Sequence, residues 1–515
     1  MSAPLNLLNK NFPLGAHANR EDTPPICWNP DANESINPHL LITATSGAGK
    51  TTLLKQIARY LTFAKKHIYL FDLKGDMIIE DANGNPMGNY IEFTAWNSEY
   101  GINPFEFDTG ATEEEIKAFI EAPETIESKA LTEIRFKIQN SGPKVQVERL
   151  IEIIKKNFLP NMGTIQKDYL MYLFNDTYLM KGIVFNEIET WTKTLPSLEN
   201  TLELIEQIKI HFNRGMPKED SITKEFSREI KPLLINLKAL EDRLLSVNAE
   251  SEEKSEIETS IQKINDKIDE SFKKYKEDGK NSFKEEDIAR FNTEKWFEKY
   301  KIDFTKYASK EALRTIEKMA SYINALVSAG TFHSKRPPVK PGLNIINISG
   351  LDVKIQRFIV DIWLGKVFNA CKIRGEYAAR KNKNRGNKCD TFVMVDESKL
   401  IAGSSREKND PYSYLNRIAT EARGVGLGII VASQSADHFP PEFLKNFYMQ
   451  IILNTSIADS DTVRKSFGID KELLSFVQQG WGNALVKSGR QFIKTKLFEN
   501  NKRWEIASEY AAWYA

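Results

Sequence analysis

The chain has 515 residues, enough for roughly two to four domains and at least one large hydrophobic core. Its composition, 41% hydrophobic and 27% charged, excludes a wholly disordered or fibrous protein. Lysine and arginine (71) nearly balance aspartate and glutamate (70), so a nucleic-acid surface, if present, must be local.

Cysteine usage and apolar content bear on the compartment. Cys27, Cys371 and Cys389 are odd in number and far apart, which argues for a reducing compartment and against a disulfide framework or a zinc cluster. No window approaches the roughly 18 apolar residues that a membrane span needs, and the amino terminus lacks the pattern of a signal peptide. We therefore expect a cytoplasmic protein without a membrane span.

The first part of the chain alternates strands and helices. An apolar run at residues 40–42 predicts a strand, and residues 51–64 then carry apolar side chains at helical spacing. Further strands are predicted over His67–Asp72 and residues 90–93. The alternation is typical of a parallel sheet covered by helices, so we predict an α/β core whose first part spans residues 37–111, after an amino-terminal arm over residues 1–36.

A long helical segment follows. Residues 112–331 are charged and helix-favouring, and we predict an all-helical insertion there. Two apolar stripes with spacings of three and four run from Leu233 to Val247 and from Ile257 to Ile268. A hairpin of two helices within the chain explains them most simply, and a coiled-coil surface for a partner is the alternative.

The strand pattern resumes after a proline-rich break at residues 335–341. Strands are predicted over residues 343–349, Thr391–Val395 and Leu427–Ser433. We therefore predict that one α/β domain is interrupted by the insertion, continues over residues 340–490 and ends in a tail over residues 491–515.

Residues 44–51, ATSGAGKT, have the features of a phosphate-binding loop. Such a loop needs glycines for close backbone approach, a lysine for the β- and γ-phosphates, and a hydroxyl for magnesium. The one departure from the usual pattern is Ala44, where a glycine is expected. We predict ATP and Mg²⁺ as ligands, with nucleotide contacts from Ser46, Gly47, Ala48, Gly49, Lys50, Thr51 and Thr52.

The strand over Thr391–Val395 ends in two acidic residues. A carboxylate at the end of a buried neighbouring strand holds magnesium in such sites, which predicts Asp396 and Thr51 as the metal residues. Glu397 is then the natural general base for the attacking water. Gln434 ends the next strand, where its amide either senses the γ-phosphate or only caps the strand.

Five motifs in this order resemble the HerA/FtsK superfamily of ring-forming P-loop ATPases, over about residues 37–110 and 340–490. They are HLLITATSGAGKT, DLKGD from Asp72 to Asp76, Asp396-Glu397, TEARGVGLG around Arg423, and ASQ ending at Gln434. DLKGD is similar to a signature of HerA-like and type IV secretion ATPases. Asp72 and Asp76 are therefore candidate secondary acidic residues.

The resemblance implies a RecA-like core, a hexameric ring and an arginine finger. In the family, the arginine matching Arg423 reaches the neighbouring subunit's ATP site, where it stabilises charge on the transferring phosphoryl group. A helix-surface arginine bonded to a carboxylate is the alternative. Conjugative coupling proteins carry an all-helical domain placed like residues 112–331. The β-barrel or membrane helices of other members are unmatched, which implies that a partner chain supplies them.

A basic run precedes the acidic pair. It includes Arg380, Lys381, Lys383 and Arg385, which either neutralise nucleic-acid phosphates or belong to a solvated loop. Arg406 lies where family members place a loop that faces the central channel.

Three functions agree with these motifs. The first is a DNA translocase or helicase that works with a partner effector, such as a nuclease, in DNA processing or antiviral defence. The second is an ATPase that powers conjugation or type IV secretion, and the third is a regulatory ring that scaffolds a partner enzyme. DNA stimulation of ATP turnover separates the first from the other two.

Overall fold

The chain divides into two compact units, of which the first comprises Met1–Leu202 and Lys318–Ala515 and the second Glu203–Glu317. The computed structural model describes residues 11–20, 23–31, 37–81, 83–107, 141–212, 252–277, 285–374, 389–397, 414–435, 439, 441–488 and 491–499, with single residues between 114 and 138 and between 232 and 244.

The first unit is built on one mixed sheet, and most of its strands are short and apolar. The strands are β1 (Phe12–His17), β2 (Ile26–Trp28), β3 (Leu40–Thr43), β4 (His67–Asp72), β5 (Asn89–Glu92), β6 (Leu343–Asn347), β7 (Thr391–Val395), β8 (Leu427–Ser433), β9 (Met449–Ile452), β10 (Asn483–Ser488) and β11 (Gln491–Leu497). Their order is β2-β1-β11-β10-β9-β3-β8-β7-β4-β6-β5.

The sheet has a parallel and an antiparallel part. From β9 to β5 all neighbouring strands are parallel, whereas β10, β11, β1 and β2 add an antiparallel extension. Every residue of β7 and of β8 is buried, as expected for parallel strands covered on both faces. The predicted α/β fold class with a mostly parallel sheet is confirmed.

Helices surround the sheet or belong to the second unit. They are α1 (Lys50–Phe63), α2 (Pro143–Asn157), α3 (Thr164–Leu179), α4 (Leu198–Phe212), α5 (Glu252–Glu277), α6 (Glu285–Lys299), α7 (Lys310–Ser328), α8 (Val353–Ile373), α9 (Tyr414–Glu421), α10 (Pro441–Lys445), α11 (Ser460–Phe467) and α12 (Lys471–Gln478). None of the described helices is both long and apolar enough to cross a bilayer.

Helix α1 forms because its apolar positions recur at helical spacing. Leu53, Leu54, Ile57 and Leu61 are all buried, and they join the core beneath β3, β4 and β7. This packing fixes the amino terminus of α1, and therefore the loop before it, at one edge of the sheet.

Helices α2 and α8 are joined by a buried ion pair. Lys156 Nζ of α2 lies 2.7 Å from Asp361 Oδ1 of α8, and Asn157 Nδ2 donates to Asp361 Oδ2 at 2.8 Å. Helix α2 thus belongs to the first unit, although it lies inside the predicted insertion of residues 112–331. The insertion boundaries stay a prediction, beside a structural division at Leu202 and Lys318.

The second unit is helical where it is described. Phe297 and Tyr307 are buried in it, and His211 Nδ1 lies 2.9 Å from Thr293 Oγ1. Ile257 and Ile268 of the predicted apolar stripe are buried on α5, whereas Val247 lies outside the described residues. The choice between a hairpin and a partner surface therefore stays open.

The two ends of the chain contribute strands to the sheet, which the sequence analysis did not predict. Strands β1 and β2 come from the predicted arm, and β11 comes from the predicted tail. Gly15 permits the close pairing of β1 with β11, because a Cβ at Gly15 would lie only 2.2 Å from the Lys496 carbonyl oxygen.

Candidate nucleotide site

Four segments that carry predicted site residues meet at one edge of the sheet. The strands β3, β8, β7 and β4 are neighbours and parallel, so their carboxyl ends lie side by side. The phosphate-loop sequence follows β3, Asp396 and Glu397 follow β7, Gln434 follows β8, and Asp72 ends β4. Ligands of open α/β sheets bind at this edge.

The loop between β3 and α1 has a backbone suited to an anion. Gly47 and Gly49 have φ values of 78° and 88°, which other residues adopt at a cost. Gly49 is the N-cap of α1 without a side-chain cap, and the first turn contains no acidic residue. The amino terminus of α1 therefore keeps N–H groups and a positive dipole end for phosphate oxygens.

Three hydrogen bonds fix the start of this loop. Thr45 donates to the Asn454 carbonyl from its N–H at 2.9 Å and from its hydroxyl at 3.0 Å. The Ala44 N–H donates to the Ser433 carbonyl at 3.0 Å. Ala44 is fully buried in the core and, unlike Gly47 and Gly49, does not have a positive φ. This explains why alanine fits where the usual pattern has a glycine.

Lys50 and Thr51 face the acidic pair. Lys50 Nζ lies 3.5 Å from Asp396 Oδ1 and 3.5 Å from Glu397 Oε2. The Thr51 hydroxyl donates to Asp396 Oδ2 at 3.0 Å. A hydroxyl next to one carboxylate fits Mg²⁺, which keeps most of its water shell and takes only one or two protein carboxylates. The structure thus brings the predicted metal residues together.

Glu397 is held by three neighbours. Gln434 Nε2 donates to Glu397 Oε1 at 2.6 Å, Lys74 Nζ lies 2.6 Å from Glu397 Oε2, and the Glu397 N–H donates to Asp396 Oδ1 at 2.8 Å. Glu397 also has a φ of 59°, an uncommon backbone conformation for a residue with a side chain. Such conformations cluster at functional sites, where surrounding contacts maintain them.

The electrostatics of this cluster keep Glu397 ionised. Burial alone would raise the Glu397 pKa, but the hydrogen bond from Lys74 and the charges of Lys50 and Lys74 outweigh it, so the pKa is lowered. Burial lowers the pKa of Lys74, but its hydrogen bond to Glu397 and the negative charges of Glu397, Asp396 and Asp76 together outweigh burial, so the Lys74 pKa is raised. Glu397 is therefore a carboxylate at neutral pH and can accept a proton.

Lys74 is the site residue that the sequence analysis missed. The Asp72 carboxylate accepts backbone N–H groups from Lys74 at 3.1 Å, Gly75 at 2.7 Å and Met77 at 3.0 Å. Asp72 is thus buried in a turn that presents Lys74 to Glu397, while Asp76 is exposed beside Lys74. The available signal was a lysine between two acidic residues directly after a buried strand.

The remaining predicted residues are only partly described. Ser46 and Thr52 are exposed on the loop and on α1. The backbone of Arg423 lies in a 3₁₀ turn, Ala422–Val425, directly before β8, and its side chain lies outside the description. So do Arg380, Lys381, Lys383, Arg385 and Arg406. Two glycines near Arg423 have structural explanations: Gly426 has a φ of 79°, and a Cβ at Gly428 would lie 2.4 Å from the Phe392 ring.

Comparison with solved structures decides the fold. VirB4 of Thermoanaerobacter pseudethanolicus superposes with a TM-score of 0.55 and 12% identity, covering 96% of this chain and 98% of that one. The chain has the fold of VirB4. The resemblance predicted from the five motifs is confirmed at the level of fold.

Two further solved structures align with TM-scores below 0.5. The bacterial conjugative coupling protein TrwBdeltaN70 aligns with a TM-score of 0.44 and 11% identity over 95% of this chain and 93% of its own. The genome packaging NTPase B204 from Sulfolobus turreted icosahedral virus 2 aligns with a TM-score of 0.23 and 16% identity over 31% and 70%. No protein-family model and no curated protein matches the sequence.

Proposed function

We propose that this chain is a magnesium-dependent ATPase that hydrolyses ATP at the edge of the sheet. One observation carries the proposal: Glu397 meets Lys50, Lys74 and Gln434 within 3.5 Å, next to a left-handed glycine loop at a helix amino terminus. This arrangement combines an anion-binding loop with an ionised base, the two requirements for phosphoryl transfer to water.

Each residue has a distinct part in the proposed reaction. The loop N–H groups and Lys50 bind the β- and γ-phosphates, and Thr51 and Asp396 would hold Mg²⁺. When bound, Mg²⁺ neutralises charge that develops on the phosphate oxygens. Glu397 accepts a proton from the attacking water as the new P–O bond forms. The bond from the γ-phosphorus to the bridging oxygen breaks, and ADP and phosphate leave.

Gln434 and Lys74 set the orientation of Glu397. Both carboxylate oxygens are engaged, Oε1 by Gln434 and Oε2 by Lys74. A carboxylate oxygen accepts more than one hydrogen bond, so a water can share these oxygens without displacing either donor. Holding the base in this way limits the geometries in which water is activated.

Beyond the ATPase reaction, we propose a cytoplasmic, hexameric ring that translocates DNA together with a partner effector such as a nuclease, in DNA processing or antiviral defence. In this ring Arg423 completes the ATP site of the neighbouring subunit. The order of the five motifs and the HerA/FtsK-type fold support the proposal. The basic run with Arg380 and Arg385 and the segment around Arg406 are the proposed DNA contacts.

The test is ATP turnover with and without single- and double-stranded DNA, on a sample of measured oligomeric mass. We expect DNA to stimulate ATP turnover. The DNA concentration that is needed for this stimulation should rise steeply with salt, because binding to DNA phosphates releases counterions. An ATP turnover rate that changes neither with single-stranded or double-stranded DNA nor with salt would contradict the translocase proposal. It would leave the ATPase proposal intact.

A second candidate is an ATPase of conjugation or type IV secretion. It is favoured by the VirB4 alignment across 96% of the chain, and by the similarity of DLKGD to type IV secretion ATPases. For this candidate we expect turnover that is indifferent to DNA and co-purification with membrane components. The third candidate, a ring that scaffolds a partner enzyme, is supported if Glu397→Gln keeps full biological activity.

A further inference from the structure

A cavity lies beside the phosphate loop, and Glu397 is not among its lining residues. Its volume is about 660 Å³, within the range of small-molecule sites. One wall consists of Ala48, Gly49, Thr52 and Leu53, from the loop and the first turns of α1. Lys50, Thr51 and the acidic pair are not part of the lining, so the cavity is separate from the proposed reaction centre.

A large, exposed aromatic side chain also lines the cavity. Trp481 lines the cavity in the turn before β10, and 83% of its surface is exposed. The outer edge of its ring lies 3.8 Å from the position that a Cβ on Gly49 would occupy. An exposed tryptophan next to a phosphate loop offers a flat face on which a base can stack.

Backbone and side-chain hydrogen bonds build this part of the lining. The Leu497 N–H donates to the Gly482 carbonyl at 2.8 Å, and the Phe498 N–H donates to the Leu14 carbonyl at 3.1 Å. Asn483 Nδ2 donates to the Phe476 carbonyl at 2.9 Å. Strands β1 and β11 thus hold the end of the turn that carries Trp481. This part of the cavity lining is therefore held in place by hydrogen bonds to the sheet.

We propose that this cavity binds the nucleoside part of the nucleotide, with its base stacked on Trp481. The proposal rests on the ATPase function proposed above and adds a base-binding residue to it. The loop amides contact the α- and β-phosphates, and Thr52, at the start of the cavity, directly follows the residues of the phosphate grip. The nucleoside is bonded to the α-phosphate and extends from it in the direction away from Glu397. It therefore enters the space between Thr52 and Trp481.

The experiment measures equilibrium binding of Mg·ATP to the full chain in a Glu397→Gln background, which removes the proposed base and prevents turnover. Trp481→Ala is expected to weaken ATP binding by roughly 5- to 150-fold, the range for loss of one base–aromatic stack. Trp481→Phe keeps a flat ring and should retain most of the affinity. Trp96→Ala is a matched control, because Trp96 is 84% exposed and lies outside the cavity lining.

The outcomes separate this proposal from the ATPase proposal. Unchanged ATP affinity in Trp481→Ala overturns the base platform. A fall in oligomeric mass with unchanged affinity also overturns it and makes Trp481 a subunit contact. If the background chain binds no ATP, or binds it equally well after Lys50→Ala, the proposed function itself fails. Equal weakening by Trp481→Ala and Trp481→Phe shows that a general change in the turn, and not loss of stacking, is responsible.

Discussion

Lys74 Nζ lies 2.6 Å from Glu397 Oε2, while Gln434 Nε2 lies 2.6 Å from the other carboxylate oxygen. The proposed base, directly after β7, is therefore held by a cation from the turn after β4 and by an amide directly after β8, the two strands that flank β7. Burial raises the pKa of Glu397, but the hydrogen bond from Lys74 and the charges of Lys50 and Lys74 lower it more strongly, so Glu397 is ionised although it is largely buried.

The first prediction concerns the pH dependence of ATP hydrolysis. Glu397 acts as a base only when deprotonated, and its pKa is lowered, so activity is lost only as pH falls below the ordinary glutamate range. Lys74→Met removes a hydrogen bond and a positive charge that favour the carboxylate. The Glu397 pKa then rises, and the acid limb of kcat/KM moves to higher pH. Initial rates over a range of pH at fixed ionic strength measure this shift.

Lys74→Arg is the control for that prediction, because it keeps the charge. We expect its acid limb to stay closer to that of the parent chain than the acid limb of Lys74→Met. An acid limb in Lys74→Met that coincides with the parent would show that Lys74 does not set the Glu397 pKa during turnover.

The second prediction tests how Lys74 is positioned. In the parent chain both carboxylate oxygens of Asp72 accept hydrogen bonds from backbone N–H groups. In Asp72→Asn only one side-chain oxygen remains to accept them. We expect a loss of roughly 1–3 kcal/mol in the free energy of unfolding, measured by denaturant titration. We also expect a shift of the acid limb in the same direction as that of Lys74→Met. Adding Asp72→Asn to Lys74→Met should shift it no further, and a fully additive shift would contradict the account.

The third prediction separates backbone strain from crowding in the phosphate loop. A Cβ at Gly47 meets no atom within 4 Å, and the same holds at Gly350, but only Gly47 has a positive φ. Gly47→Ala should therefore cost roughly 1–2 kcal/mol or shift the loop, with weaker ATP binding, whereas Gly350→Ala should leave ATP binding unchanged. Equal ATP affinities in the two variants would show that the loop does not need its left-handed residue.

The fourth prediction tests the proposed arginine finger. Arg423→Ala should bind ATP normally and lose turnover by roughly 10³-fold or more, as expected for a finger that stabilises transition-state charge. Lys50→Ala should lose ATP binding. In rings that mix the two variants, an Arg423→Ala subunit keeps an intact Lys50, and a neighbouring Lys50→Ala subunit supplies an intact Arg423 across the interface. Turnover should therefore partly return. Parent-level turnover of Arg423→Ala in assembled rings would show that Arg423 is not a finger.

Sequence patterns were sufficient where burial on both faces produces continuous apolar runs. Strands β4, β7 and β8 begin and end as predicted, because each is a short apolar run of the kind that buried strands require. The phosphate-loop glycines could also be predicted from the sequence, because the left-handed backbone at Gly47 and Gly49 favours glycine. These features depend on local sequence alone.

Features that depend on long-range pairing were not predictable. Strand β1 contains Pro13 and Gly15 and pairs with β11, almost the whole length of the chain away. The contact of Lys74 with Glu397 likewise joins the segments that follow β4 and β7, which are distant in sequence. A motif search draws attention to Asp72 and Asp76, but only the folded turn shows that Asp72 holds the backbone and Lys74 reaches the site.

The most direct test of the central claim measures ATP binding and phosphate release for the parent chain and Glu397→Gln, with and without Mg²⁺. We predict magnesium-dependent turnover in the parent. In Glu397→Gln we predict ATP affinity close to that of the parent and turnover reduced by roughly 10²- to 10⁴-fold, the typical contribution of a positioned base. Turnover of Glu397→Gln at the parent rate would contradict the assignment of this site as the centre of hydrolysis.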